Sequence, residues 1–358
     1  MSPVSPLAES SQLLVRSALQ LAPNEHFVIL DDEASQAIGD ALTDAADGVG
    51  AWVRRVRLDR FAKRPLRSLP ELVRHALMEA RASVFVASEL HQETSVRQAI
   101  LHLVRQHSLR HAHLPGISER GFAAGIRTPY DELARLGQQL HRLLSGARTI
   151  VSESPAGTSL RITLDEGARW FAQLGAVLPG TWANFPAGAF YASPARVDGV
   201  FVADGSLGEF FGARAGSLAG HGARFTLDDG RIVDVETEDA ELRRDLRATL
   251  EVAANSDRVG LIAVGMNPGI TAPIGEWSVD QNVPGLHLGI GDPAGRSSGA
   301  TWRAQTCFAA CQARSTVTVD GIVVVRDGLL VGHSGVHRPS RTGPRVTPQR
   351  SMTPVPTR

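Results

Sequence analysis

Residues 27 to about 114 alternate short apolar runs with helical patterns, and this order constrains the fold more than any other feature. The strand-like runs are "FVILDD", "WVRRVRL", "SVFVASEL" and "LRHAHLPG", and the helical stretches "ASQAIGDALTDAADG", "LPELVRHALMEA" and "TSVRQAILHLVRQH" separate them. Such an order is typical of a parallel sheet covered by helices. We therefore predict an α/β N-terminal domain over residues 1–145, closed by an amphipathic helix at 130–147.

Beyond that helix the sequence changes character. Strand-like segments are separated by turn signals such as Asp229-Gly230 and Asp320-Gly321, and a single helical stretch lies at 241–257. This pattern predicts an α+β C-terminal domain with an antiparallel sheet over residues 146–331. The segment 332–358 is basic, has no acidic residue and is rich in Pro, Ser and Thr, so we expect a disordered tail.

Charge and hydropathy narrow the functional classes. Lys+Arg and Asp+Glu number 37 each, so the net charge gives no reason to expect nucleic acid or an anionic membrane as a partner. No apolar run reaches the length of a membrane span, no secretory signal is evident, and we expect a cytoplasmic protein. The first strand is followed by "DDEASQ" rather than by a glycine-rich turn, which disfavours a dinucleotide site.

Four histidines form the densest cluster of titratable side chains, in "HLVRQHSLRHAHLPG". His111 and His113 would share one face of a strand, whereas His102 and His107 belong to the preceding helix. We interpret them as polar surface or interdomain residues, with a metal site as the alternative.

Two other groups of potentially reactive residues are weaker candidates. The cysteines of "CFAAC", Cys307 and Cys311, have the spacing of one helix face, and we interpret them as buried small apolar residues rather than a metal pair. No serine lies in the strand-to-helix context of a nucleophile elbow.

A series of motifs gives the C-terminal half a more specific resemblance. In order, these are "TIVSESPAGTSLRITLD", "NFPAGAFYASP" with "DGVFVADG", "RFTLDDGRIVDVE", "VGMNPGI", "GLHLGIG" and "VTVDGIVVVRDG". Their order and spacing resemble the M29 metallo-aminopeptidases over residues 145–331, and the α/β domain resembles them more weakly. That family is in turn similar to ring-opening non-haem iron dioxygenases that act on dihydroxypyridine. The resemblance implies an M29 aminopeptidase-like fold.

The resemblance also implies a set of metal ligands, and most of them are missing here. At two positions where the peptidases carry glutamate, this chain has Ala189 and Leu261. The histidine of the family's His-x-Ala-x-Gly strand is matched by His287. The family's His-x-Asp pair would fall within 293–319, where this chain has no His, Asp or Glu. One imidazole does not hold a catalytic metal, so we predict no metal and no cofactor, with His287 as a residual ligand position.

A peptidase-like cleft without its metal keeps the ability to bind an extended peptide. The sequence is similar to the degenerate peptidase-like proteins of crocagin-type ribosomal-peptide pathways, which implies a non-catalytic protein that binds a precursor or leader peptide and presents it to modifying enzymes. A homodimer is the expectation from the family. The residues predicted to line the groove are Trp182, Phe185, Ala189, Phe190, Tyr191, His287 and Trp302.

Two alternatives remain open at this level. One is an active metallo-aminopeptidase or iron dioxygenase with relocated ligands such as Glu209, His221 or Glu276. The other is a scaffolding subunit that binds proteins but no peptide.

Overall fold

The computed structural model describes residues 5–61 and 63–332, so almost all of the tail predicted at 332–358 lies outside the described residues. The α-helices are α1 Pro6–Leu13, α2 Gln36–Asp47, α3 Glu71–Glu79, α4 Thr94–Gln106, α5 Glu119–Gly125, α6 Tyr130–Leu144, α7 Glu209–Ala215, α8 Ala240–Glu251, α9 Trp277–Asp280 and α10 Gly295–Ser298. The strands are β1 His26–Asp31, β2 Trp52–Arg57, β3 Ala82–Phe85, β4 Arg110–His113, β5 Thr149–Glu153, β6 Ser159–Thr163, β7 Phe171–Gln173, β8 Thr181–Asn184, β9 Ala189–Ala192, β10 Arg196–Ala203, β11 Ala223–Asp228, β12 Arg231–Glu236, β13 Val259–Gly265, β14 Gly285–Gly291, β15 Cys307–Ala310, β16 Thr316–Val319, β17 Ile322–Arg326 and β18 Leu329–Leu330.

The N-terminal strands form the predicted parallel sheet, in the order β2-β1-β3-β4-β8. Helix α2 packs on one face through Ile38 and Leu42, and α3 and α4 pack on the other through residues such as Leu77 and Ile100. Because both faces are covered, successive residues of β1 are buried, which explains its unbroken apolar run.

The fifth strand of this sheet comes from the second half of the chain. Residues Thr181–Asn184 pair in parallel with Arg110–His113, so a segment after residue 145 completes the N-terminal sheet. The division of the chain into domains at residue 145 stays a prediction, and β8 links the two regions.

The rest of the chain builds two antiparallel sheets. The large antiparallel sheet has eight strands in the order β12-β11-β10-β6-β5-β16-β17-β18, and the small antiparallel sheet has five, β15-β14-β13-β9-β7. Together with the parallel sheet, they confirm the predicted fold class of an α/β region followed by an α+β region.

One local expectation of secondary structure is wrong. "CFAAC" forms strand β15 rather than a helix, because Phe308 and Ala310 alternate inward with period two. Cys307 is consequently exposed, and Cys311 is buried just beyond the strand. Within the motif "NFPAGAFYASP", Ala189–Ala192 forms a buried strand between β7 and β13.

Candidate functional site

The positions that would carry metal ligands meet on one face of the small antiparallel sheet. Tyr191 pairs with Ala263, and Ala263 pairs with His287, so these three form one row across the sheet. Side chains alternate along a strand, so Ala189 lies on the same face as Tyr191, and Leu261 on the same face as Ala263. The positions that the resemblance selected from separate motifs therefore share one surface.

That surface is apolar. Phe171, Ala189, Tyr191 and Ala263 form a small buried cluster, with the partly buried Leu261 packed against it. The rings of Phe171 and Tyr191 stack with centroids 5.2 Å apart, and the Tyr191 hydroxyl donates to Gln281 Oε1 at 3.1 Å. Burial raises the pKa of Tyr191 above its ordinary value. This surface offers rings and methyl groups in place of a ligand set.

His287 remains on this face, but its ring is already engaged. Nε2 donates to the carbonyl of Val283 at 2.9 Å, and Nδ1 accepts the backbone N–H of Gln312 at 3.3 Å. Burial lowers the pKa of His287 to about 4, although its bond to the Val283 carbonyl acts in the opposite direction. The imidazole is therefore neutral, and neither nitrogen has a free lone pair for a metal.

The residues present do not fit the metal centre that the resemblance implies. Two of the expected carboxylate positions carry alkyl side chains, and the remaining imidazole bonds to backbone at both nitrogens. Acids near the small sheet also serve the backbone: Asp280 accepts the N–H groups of Ile274 and Gly275 at 2.7 and 3.0 Å. Asp292 likewise accepts the N–H of Ala294 at 2.9 Å.

The proposed relocated ligands belong to no metal-binding group among the described residues. Glu209 is exposed on α7. His221 is exposed and faces Glu238 at 3.4 Å, and Glu276 accepts a hydrogen bond from Ser118. Within residues 5–61 and 63–332, no three His, Cys, Asp or Glu side chains are arranged to hold a metal ion.

The loop that leads into β9 is fixed by a polar network that the sequence did not reveal. Asn267 donates from Nδ2 to the Ala187 carbonyl at 2.7 Å, and its Oδ1 accepts the Thr128 hydroxyl at 2.6 Å. Gly188, at φ 129°, passes so close that an added Cβ would lie 2.6 Å from the Asn267 Cβ. The segments "NFPAG" and "MNPG" therefore pack directly against each other. In the sequence, the Pro and Gly residues of these motifs were the signal that could have indicated this contact.

The other predicted groove residues do not join this face. Phe190 points to the opposite side of the sheet, where it is 2% exposed and stacks on His141 of α6. Phe185 is buried edge-on against Tyr130, with ring centroids 5.0 Å apart. Trp182 lies in β8 of the parallel sheet and packs in the core with residues of α3 and α4. Only Ala189, Tyr191 and His287, of the seven predicted residues, lie together.

Trp302 is the most accessible of the predicted aromatic residues. It is partly exposed, and the Arg258 guanidinium lies 4.4 Å from the centre of its ring. This cation–π contact holds the ring beside the end of β13 rather than on the row formed by Tyr191 and His287.

His111 and His113 are not surface residues. Both are buried in β4, where His111 Nδ1 bonds to the Ser83 hydroxyl at 2.8 Å and His111 Nε2 lies 3.2 Å from His113 Nδ1. Burial lowers the pKa of His111 to about 3 and that of His113 well below its ordinary value. The expectation of a polar surface is wrong for this pair, because β4 is an interior strand covered on both faces.

Two solved structures share this architecture at low sequence identity. The 2,5-dihydroxypyridine dioxygenase from Pseudomonas putida aligns with a TM-score of 0.64 and 17% identity, over 92% of this chain and 99% of that chain. AmpT from Thermus thermophilus, an M29 aminopeptidase, aligns with a TM-score of 0.60 and 16% identity, over 91% of this chain and 99% of that chain.

The fold is M29 aminopeptidase-like. No protein-family model matches the sequence, and no curated protein matches it. In the described part of the chain, no helix is both long and apolar enough to cross a bilayer.

Proposed function

We propose that this protein is a non-catalytic peptide-binding protein, a pseudo-aminopeptidase, that binds a precursor peptide and presents it to modifying enzymes in ribosomal-peptide natural product biosynthesis. The observation that carries the proposal is the convergence of positions 189, 261 and 287 on one sheet face. Ala189 and Leu261 carry alkyl side chains at two of these positions, and the imidazole of His287 is hydrogen-bonded to the backbone at the third. Catalysis by a metal-bound water needs several ligands and an open coordination position.

Two features support retention of peptide binding. The fold is shared with an aminopeptidase. The small antiparallel sheet also ends at β7, an edge strand whose Phe171 belongs to the apolar cluster with Tyr191. An extended peptide pairs with such an edge through backbone hydrogen bonds and places alternate side chains against the neighbouring face. We further propose a homodimer as the working unit.

The test uses purified protein and the short precursor peptide encoded beside its gene. Titration calorimetry should saturate near one peptide per chain, mass spectrometry should show the peptide uncut, and elemental analysis should find no stoichiometric metal. One tightly bound metal per chain, lost together with peptide cleavage in His287→Ala, would sink the proposal and favour an enzyme. If no peptide encoded near the gene binds to the protein, the result would favour a scaffolding subunit.

A further inference from the structure

The parallel sheet contains a point where the direction of strand addition reverses. From β1 the chain moves through α2 to β2 on one side, and then through α3 to β3 on the other side of β1. The helices accordingly lie on opposite faces of the sheet. In open α/β sheets, ligands bind in the crevice outside the carboxyl ends of the two strands at such a reversal. Here that crevice lies beyond the ends of β1 and β3.

An ion-pair network occupies the floor of this crevice. Asp32 follows β1, Ser88 follows β3, and the Ser88 N–H donates to Asp32 Oδ2 at 2.8 Å. Arg64, from the loop after β2, pairs with Asp32 and donates from Nε to Glu93 at 3.0 Å. The side chains of Arg64, Asp32 and Glu93 are 8%, 7% and 1% exposed. This network fixes the loop at the crevice.

Further bonds hold the same loop. The Leu66 N–H donates to Glu93 Oε1 at 2.6 Å, and Arg64 donates to the Ser88 carbonyl at 2.8 Å. Burial alone would raise the pKa of Asp32, but hydrogen bonds from Ser88 and Ser35 and the charge of Arg64 lower it. The carboxylate of Asp32 is therefore ionised, and the bonds to Asp32, Glu93 and Ser88 hold Arg64 and Leu66 in place.

A cavity of about 460 Å³ opens above this network, lined by Lys63, Arg64, Pro65, Leu66, Arg67 and Gln92. Lys63 and Arg67 are exposed on its rim. Among the ion pairs of the described residues, neither of these two cations has a carboxylate partner. Because Arg64 is already matched by two carboxylates, the rim charges are the ones available to a ligand.

We propose that this crevice is a docking site for a carboxylate-bearing segment of an acidic peptide, bound through Lys63 and Arg67. The inference rests on the proposed peptide-binding function and assigns it a second contact site, on the α/β region. The residues that line the cavity include the cations Lys63, Arg64 and Arg67 and no acidic side chain, which favours an anionic ligand. A fixed loop lowers the entropic cost of binding. Phe61, 41% exposed and two residues before Lys63, offers an apolar contact to a peptide that a free inorganic anion would not use.

The experiment compares two charge-reversed proteins of equal net charge. One is Lys63→Glu with Arg67→Glu, and the control is Arg135→Glu with Arg142→Glu, both exposed on α6 and away from the cavity wall. Binding of the fluorescein-labelled precursor peptide is measured by anisotropy at low and high salt. The same peptide with every Asp and Glu replaced by Asn and Gln is measured in parallel. Thermal melts establish that each variant is folded.

The expected result is at least about tenfold weaker binding of the acidic peptide to the cavity variant, with the control unchanged. The neutralised peptide should bind the cavity variant and the wild type equally. Unchanged affinity of the folded cavity variant would overturn the docking site while leaving the proposed function intact. No binding to the wild-type protein would instead remove the proposed function and this inference with it. Saturable binding of inorganic phosphate that is lost in the cavity variant, with peptide binding unaffected, would also overturn the peptide as occupant.

Discussion

Replacement of His287 by glutamine should reduce the sensitivity of this protein to acid. In the unfolded chain a histidine takes up its proton near pH 6.5, whereas burial holds the native pKa of His287 at about 4. Between these values the unfolded state binds more protons than the native state. The free energy of unfolding therefore falls as the pH is lowered from about 6.5 toward 4.

The size of the effect follows from proton linkage. At pH 5, protonated imidazole exceeds the neutral form by roughly 30-fold in the unfolded chain, which corresponds to about 2 kcal/mol for each histidine that stays neutral when folded. His111 and His113 are buried in the same way, so the three together amount to about 6 kcal/mol, against a typical total stability of about 5–15 kcal/mol. The buried carboxyl groups of Asp204 and Asp280, whose pKa values burial raises, act in the opposite direction.

His287→Gln isolates one contribution, because the glutamine amide retains a donor for the Val283 carbonyl and an acceptor for the Gln312 N–H. Urea unfolding followed by tryptophan fluorescence at pH 7.5 and pH 5 gives the loss of stability on acidification. This loss should be about 2 kcal/mol smaller in His287→Gln than in wild type. The exposed His102→Gln is the control and should lose as much as wild type. An equal loss in all three proteins would refute the neutral, buried imidazole.

Three further substitutions test the site and the crevice. Ala189→Glu places a carboxylate on a buried apolar face, so it should lower stability by about 2 kcal/mol or more and create no metal-dependent aminopeptidase activity; metal-dependent release of an N-terminal residue would contradict the missing-ligand argument. Gly188→Ala should cost about 2 kcal/mol in urea unfolding, because its Cβ meets Asn267 at 2.6 Å and its φ is positive, whereas Gly146→Ala, with open space around it, should be nearly neutral. Arg64→Met leaves two buried carboxylates unpaired and should cost about 3–5 kcal/mol, and a melting temperature equal to that of wild type would show that the network does not hold the loop.

The order of elements in the α/β region could be predicted because local patterns encode it. Strand β1, which is buried on both faces of the sheet, reads as an apolar run, and the amphipathic helix α2 follows it. Strand β8 could not be predicted, since "TWAN" has no such run and its pairing with β4 depends on contacts about 70 residues away. "CFAAC" illustrates the reverse error, in which a spacing of four suggested a helix although burial alternates with period two.

The face that gathers Ala189, Leu261 and His287 followed from the resemblance, and the sheet register places all three there. The groove residues were less predictable, because the sequence of a motif does not distinguish an aromatic side chain that faces a cleft from one that packs in the core. Alternation along β9 separates them, since Phe190 must point away from the side that Ala189 and Tyr191 share. The engagement of both His287 nitrogens depends on Val283 and Gln312, which no local pattern connects.

Strand β8 also bears on how the chain is synthesised and how it could be divided. The parallel sheet pairs β4 with residues 181–184, so it is incomplete until those residues have left the ribosome. In a nascent chain that has emerged only to the end of α6, β4 is an unpaired edge strand and Trp182 is still missing from the core. This state lasts until synthesis has added about forty more residues. A gene cut at residue 145 would therefore yield two fragments that each lack part of the same sheet, and they should be recovered folded only when produced together.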